Sequence, residues 1–253
     1  MMKSFIKDAL FFLCGIGRAG LGDRASILMY HSVAENGAFF TVSPKEFERQ
    51  MHYLHDSGRT VVPLAELCRR LKANESVGGL VAITFDDGYR DNYTEALPVL
   101  QRFGFHATVF VITDFIGKSD TRGMEHLNLA EMKAMEASGL VAIEPHTKSH
   151  PKLTQLPREE AREEIVGSKK AVEQLLGRPA TLFAYPYGDF NGETKTLAKE
   201  CGLACAVTVE EGTVSPDSDA FRLPRVSIDR STTPLQFKGK ISIAVDRYQA
   251  LKN

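Results

Sequence analysis

The sequence predicts an α/β fold, a single (β/α) barrel, on three observations. Short apolar runs alternate at least six times with capped, amphipathic segments along 253 residues, the pattern of strands and helices taking turns. The apolar runs are hydrophobic throughout rather than at every second position, as strands covered on both faces of a parallel sheet are. No repeat, low-complexity tract or linker divides the chain. One barrel-sized unit is therefore the economical architecture, with a doubly wound open sheet as runner-up.

Residues 1–24 are expected to form an apolar or amphipathic leading segment, and residues 25–253 the barrel domain. Lys3 and Lys7 precede the apolar run of residues 9–16, and Arg18 follows it. That run is too short to span a bilayer. Asp8 abuts it and no clear small-residue cleavage pattern follows, so an interfacial helix through residues 5–16, resting on a membrane or on the body, fits at least as well as a signal peptide. The corresponding expectation is a cytoplasmic or membrane-peripheral chain rather than an exported one.

The first strand, Ser26–Tyr30, ends in the polar tip His31-Ser32. After a loop, Ser43-Pro44-Lys45-Glu46 starts a helix, with Ser as N-cap, Pro at the first helical position and Glu closing a capping box. Phe47, Met51 and Leu54 give that helix its apolar stripe, and Gly58 stops it. Residues 60–62 read as a strand, 64–73 as a helix, and 82–85 as a buried strand. The same reading gives helices over 93–103, 129–138, 157–176 and 192–201. Strands are expected over 107–112, 140–143, 182–185 and 203–209. A closing helix over 234–245 is weakened by Gly239 and by β-branched residues.

Composition excludes some functions. With 31 basic and 32 acidic residues the net charge is −1, so no basic field points to nucleic acid. Cys14, Cys68, Cys201 and Cys205 form no CxxC pair and read as reduced core thiols.

The chemistry gathers at predicted strand ends, where barrels carry their sites. Residues 82–92, AITFDDGYRDN, run a buried strand straight into Asp86 and Asp87. Burying a carboxylate without a partner is costly, so the pair implies a cation or a catalytic use; a capped βα turn is the plainer alternative. His146 and His150 are four apart, which on a helical turn would put both imidazoles on one face within reach of an ion; two surface histidines in a turn is the plainer alternative. His31 and Tyr187-Gly188-Asp189 complete the convergent set. His₂Asp with open positions is a catalytic zinc pattern.

TFDDGYRDN, then HTKSH, then AYPYG, in that order, resemble the polysaccharide deacetylases of the NodB-homology family (carbohydrate esterase family four), over roughly residues 26–227. The resemblance implies roles. Asp86 would be the general base. Asp87, His146 and His150 would hold an ion, Zn²⁺ first, with Co²⁺ or Ni²⁺ as alternatives, and Thr147 would orient their loop. Pro186 and Tyr187 would form the oxyanion turn through the Tyr187 N–H. The reaction would hydrolyse N-acetyl groups on the hexosamines of an N-acetylated polysaccharide. Tyr89, Asp91 and Tyr187 are candidates to line the sugar groove.

Two departures stand out. Many relatives have an arginine where this chain has Ala184, and a late histidine acid, whereas no histidine follows His150. The opening Met29-Tyr30-His31-Ser32-Val33 resembles the poly-N-acetylglucosamine deacetylases, which implies a distorted seven-stranded (β/α)7 barrel of permuted motif order with His31 as general acid. Arg225 would supply the charge missing at Ala184. Glu144 adds a carboxylate close to the expected ion. The alternatives are a catalytically impaired carbohydrate-binding barrel, or a deacetylase of a lipid-linked sugar or another amide. Oligomeric state is not readable from the sequence.

Overall fold

The structure is a computed structural model that describes residues 22–242 and 244–250. The apolar run of residues 9–16, the interfacial helix expected at 5–16 and Cys14 lie outside the described residues. Seven strands follow one another around a barrel in chain order: β1 (Ser26–Tyr30), β2 (Leu80–Phe85), β3 (Ala107–Val111), β4 (Val141–Pro145), β5 (Leu182–Ala184), β6 (Cys205–Glu211) and β7 (Leu223–Ser227). Every ladder between them is parallel. β1 pairs with both β2 and β7, with Leu28 opposite Ile83 on one side and Val226 on the other. That return pairing makes the sheet a barrel rather than a doubly wound sheet.

The ring has one seam. The ladder runs from β4 through β1 to β5 and stops, leaving β4 and β5 without a backbone ladder. Glu144 bridges this gap: its Oε2 accepts the N–H groups of Thr181 and Leu182, both at 2.9 Å, and its Oε1 pairs with Arg178 at 3.0 Å. The carboxylate that the sequence places close to the expected ion is thus used at the seam instead. A buried carboxylate needs donors, and a ladder gap leaves backbone N–H groups in need of acceptors.

The outer layer comprises α1 (Pro44–Asp56), α2 (Leu64–Lys72), α3 (Leu97–Phe103), α4 (Leu129–Ala137), α5 (Arg158–Leu176), α6 (Gly192–Glu200), α7 (Pro234–Lys240) and α8 (Ala244–Ala250). Phe47, Met51 and Leu54 of α1 pack with Leu28, Tyr30, Ile83 and Phe85 between sheet and helices. Leu64, Leu67 and Cys68 of α2 join Ile27, Ala82, Phe110, Ala184 and Val207 in a second core cluster. Cys68, Cys201 and Cys205 are free thiols, two of them buried. No helix of the described residues is long and apolar enough to cross a membrane.

Four element expectations change. β7 was not expected as a strand, because it is short and contains Pro224. The strand at 60–62 shrinks to Thr60–Val61, an edge pair on β2 outside the ring. The helix at 93–103 opens as a π-turn over Asn92–Ala96, since Pro98 has no N–H to give the carbonyl four residues back. The closing helix is two helices, α7 and α8, broken after Lys240.

Candidate metal centre and active site

Three βα loops meet at the carboxyl ends of the strands: Asp86–Gly88 after β2, His146–His150 after β4, and Pro186–Gly188 after β5. Asp87, Thr147, His150 and Tyr187 have φ of 68°, 64°, 64° and 58°; the only other described non-glycine residue with positive φ is Asn74. Such conformations cost about 1–3 kcal/mol each and persist where the surroundings over-determine them. The two motif glycines are required for space as well. A Cβ on Gly88 would come within 2.7 Å of Val111 Cγ1, and one on Gly188 within 2.4 Å of Val209 Cγ2.

The ligand atoms of Asp87, His146 and His150 lie within 4.8 Å of one another. His146 Nε2 is 3.2 Å from His150 Nε2, and Asp87 Oδ1 is 3.7 and 3.5 Å from those two nitrogens. A tetrahedral ion with bonds of about 2.0–2.1 Å has ligand-to-ligand edges of about 3.3–3.4 Å, so the donor set fits a zinc-sized cation. His146 Nδ1–H donates to the Ala184 carbonyl at 2.7 Å, which leaves Nε2 with its lone pair free. Burial and the neighbouring His146 push His150 down to about 4, so its ring is neutral at neutral pH.

The histidine segment is not the helical turn its spacing suggested. Thr147 and His150 are left-handed, and the loop is pinned by side chains instead. Thr147 Oγ1 accepts the His150 N–H at 3.0 Å, while Glu164 of α5 accepts the N–H groups of Lys148 and Ser149.

Asp86 is buried beside this triad. Its two oxygens accept from Arg225 Nη1 at 2.7 Å and Nη2 at 2.6 Å, a bidentate pair. Arg225 is fully buried, and it also donates to Thr208 O and Thr84 Oγ1 across the barrel interior. Burial by itself would raise the Asp86 carboxyl. The Arg225 guanidinium outweighs it, with help from His146 and His31, and holds the group well below the usual carboxylate range. Arg225 therefore reaches Asp86 rather than the cavity, whose lining does not include it.

That cavity, of about 620 Å³, is lined by His31, Asp86, Asp87, His146, His150 and Tyr187, with Phe40, Tyr89, Phe115, Arg122, His126 and Val209 among its walls. Tyr187 is 59% exposed at its mouth, above His150, while Pro186 is buried beneath the turn. Tyr89 is in the wall, its hydroxyl accepting from Arg122 at 2.6 Å. One expected groove residue, Asp91, turns away to bind Ser32 and Val33, and Asp189 of the strand-end set binds Thr154. A second groove, of about 530 Å³ between α1 and α7, contains none of the motif residues.

His126 escaped the sequence reading. It is buried, and its Nδ1–H donates to the Asp87 carbonyl at 2.9 Å. Its neighbour Leu127 donates to Gly88 O and Glu125 O accepts from Arg90 N, so this segment clamps the aspartate loop. Because it acts on backbone, no motif announces it.

Fold and site together define a class, (β/α)7 barrels with a donor set able to hold a metal ion at the carboxyl ends of their strands. The sequence profile of the polysaccharide deacetylases matches residues 73–206, over half the chain, and the chain belongs to that family. YxkH of Bacillus subtilis (strain 168), assigned to the polysaccharide deacetylases, is 37% identical over 206 residues, 81% of this chain and 71% of the relative. The poly-beta-1,6-N-acetyl-D-glucosamine N-deacetylase of Staphylococcus aureus (strain MSSA476) is 27% identical over 197 residues, 75% of this chain and 68% of that one. Among solved structures, the Streptococcus pyogenes deacetylase PplD in complex with acetate superposes with a TM-score of 0.79 at 28% identity, covering 87% of this chain and 98% of its own.

Proposed function

We propose that the protein removes N-acetyl groups from a β-1,6-linked N-acetylglucosamine polymer, with Asp87, His146 and His150 holding Zn²⁺, or Co²⁺ or Ni²⁺ in its place. The observation that carries this reading is the ion-sized triangle of ligand atoms beside a buried, ion-paired Asp86 in one cavity. The polymer is suggested by the Staphylococcus aureus relative and by the position of His31 ahead of the other motifs. When bound, the ion supplies Lewis acidity toward the acetyl carbonyl and makes water a competent nucleophile near neutral pH. Asp86, kept ionised and aimed by Arg225, takes the proton from the attacking water. The Tyr187 N–H donates to the developing oxyanion. His31 delivers a proton to the departing amine nitrogen. The reading as a turnover-dead binding barrel started from Ala184 and the missing late histidine; Arg225 on Asp86 and His31 in the cavity weaken both reasons.

The test is acetate release from β-1,6-linked N-acetylglucosamine oligomers. A chelator should abolish it and Zn²⁺ should restore it. Asp87→Ala and His146→Ala should each lose both the ion and turnover. Unchanged metal content in both variants would remove the ion site.

A further inference from the structure

We propose that Asp91 and Asn92 are positioning residues that hold His31 over the reacting centre by its backbone, an assignment that rests on His31 being the general acid. His31 directly follows β1, and its half-buried ring stands 5.6 Å from Phe40. Among the described residues, no hydrogen bond orients the His31 imidazole, so its place is set by whatever fixes the chain that carries it.

That chain is tied at three consecutive residues. Asn92 Nδ2 donates to the His31 carbonyl at 2.8 Å. Ser32 Oγ donates to Asp91 Oδ2 at 2.6 Å, and the Val33 N–H donates to Asp91 Oδ1 at 3.0 Å. Asn92 also donates to Asp91 Oδ1 at 3.1 Å, which locks the two clamps together. Asn92 is completely buried and its Oδ1 has no partner. A buried amide with half its capacity unmet is a poor choice for packing alone. The π-turn at Asn92–Ala96 opens the helix at this point, a deformation frequent at functional sites.

The clamp sits on the same loop as Asp86 and Asp87, so one segment carries the base and a metal ligand and also fixes the chain bearing the acid. Distance across the cavity is then set within a single loop. Asp86 is held separately by Arg225, so loosening the clamp should disturb the acid far more than the base.

The experiment compares two acetyl donors on the metal-loaded enzyme. In an N-acetylglucosamine oligomer the C–N bond breaks and the amine nitrogen must take a proton. In 4-nitrophenyl acetate the phenolate leaves without one. His31→Ala should lose about 10²–10⁴-fold on the oligomer and little on the ester. Asp91→Ala and Asn92→Ala should show the same selective loss, of about tenfold or more, since a misplacement near 1 Å can cost about 10²-fold. Ser32→Ala removes only one bond of the clamp, besides a longer one from Asn36 Nδ2 at 3.4 Å, and should show a smaller loss of the same kind. Metal content and thermal midpoint are read alongside.

Selective loss in His31→Ala but not in the Asp91, Asn92 or Ser32 variants overturns the clamp and leaves the acid in place. No selective loss in His31→Ala overturns the acid assignment, and the clamp with it. Equal losses on both donors, or loss of the ion, in the clamp variants would make their role structural and overturn the proposal.

Discussion

Asp86 and His31 each directly follow a barrel strand and face one cavity, but Asp86 has both oxygens gripped by a fully buried guanidinium, whereas His31 has only its backbone tied. The Asp86 side is built side chain to side chain inside the barrel, with Arg225 bonded to β2 and β6 as well. The opposite side is built from loop backbone, through Asn92 on His31 and His126 on Asp87. One half of the site therefore inherits its geometry from the sheet, and the other from loops docking on one another. Damage to the first should appear in stability as well as chemistry, and damage to the second mainly in chemistry.

The largest expected effect comes from breaking the Asp86 side. Arg225→Met leaves a buried carboxylate unpaired, a change that typically costs about 3–5 kcal/mol. In the native chain the Asp86 pKa is depressed on folding, so the pair contributes stability above the unfolded value near 3.9, lost as pH falls through the folded value. Without the guanidinium, only His146 and His31 oppose burial and the pKa rises. Asp86 is then protonated at higher pH, and the acidic limb of kcat/KM should move upward. Denaturant unfolding measures the first effect and a pH–rate profile the second. A limb that stays put would show that Asp86 is not the group being titrated.

On the loop side, His126→Ala should leave unfolding nearly unchanged while weakening metal affinity by about 10–100-fold, the usual range for a residue that supports a ligand. His126→Asn keeps a donor close to the lost Nδ1–H and should recover part of it. Calorimetric titration with Zn²⁺ is the measurement. Equal stability loss in both variants would mean that the segment is simply packing.

How much of this was legible in the sequence divides along the same line. The Asp86-Asp87 pair, the two histidines and the PYG turn announce themselves, because their chemistry lies in side chains clustered at strand ends. Arg225 was visible only as a charge missing at Ala184, since its strand is short, interrupted by Pro224, and 139 residues from its partner. His126 and the Asn92 bond were invisible because each acts on a carbonyl, which every residue has. The spacing of His146 and His150 indicated one ion correctly in reach but misled on conformation, as a strained loop brings the same two rings together. The role of Glu144 was not legible: adjacency in sequence put it close to the ion without assigning it a use, and the barrel seam uses it.

The smallest expected effect tests that strained loop. Thr147 is fully buried, left-handed, and accepts the His150 N–H. Thr147→Val keeps the shape and removes the acceptor, so it isolates one hydrogen bond, worth about 0.5–1.5 kcal/mol. If that bond serves to hold His150 on the ion, Zn²⁺ affinity should fall by about two- to twelvefold. Thr147→Ser, which keeps the hydroxyl and loses the methyl, should stay closer to the native affinity. If the serine variant were the weaker binder, packing of the methyl group rather than the hydroxyl would be what sets the histidine. The loop would then resemble the Asp86 side of the cleft, held by burial, more than the His31 side.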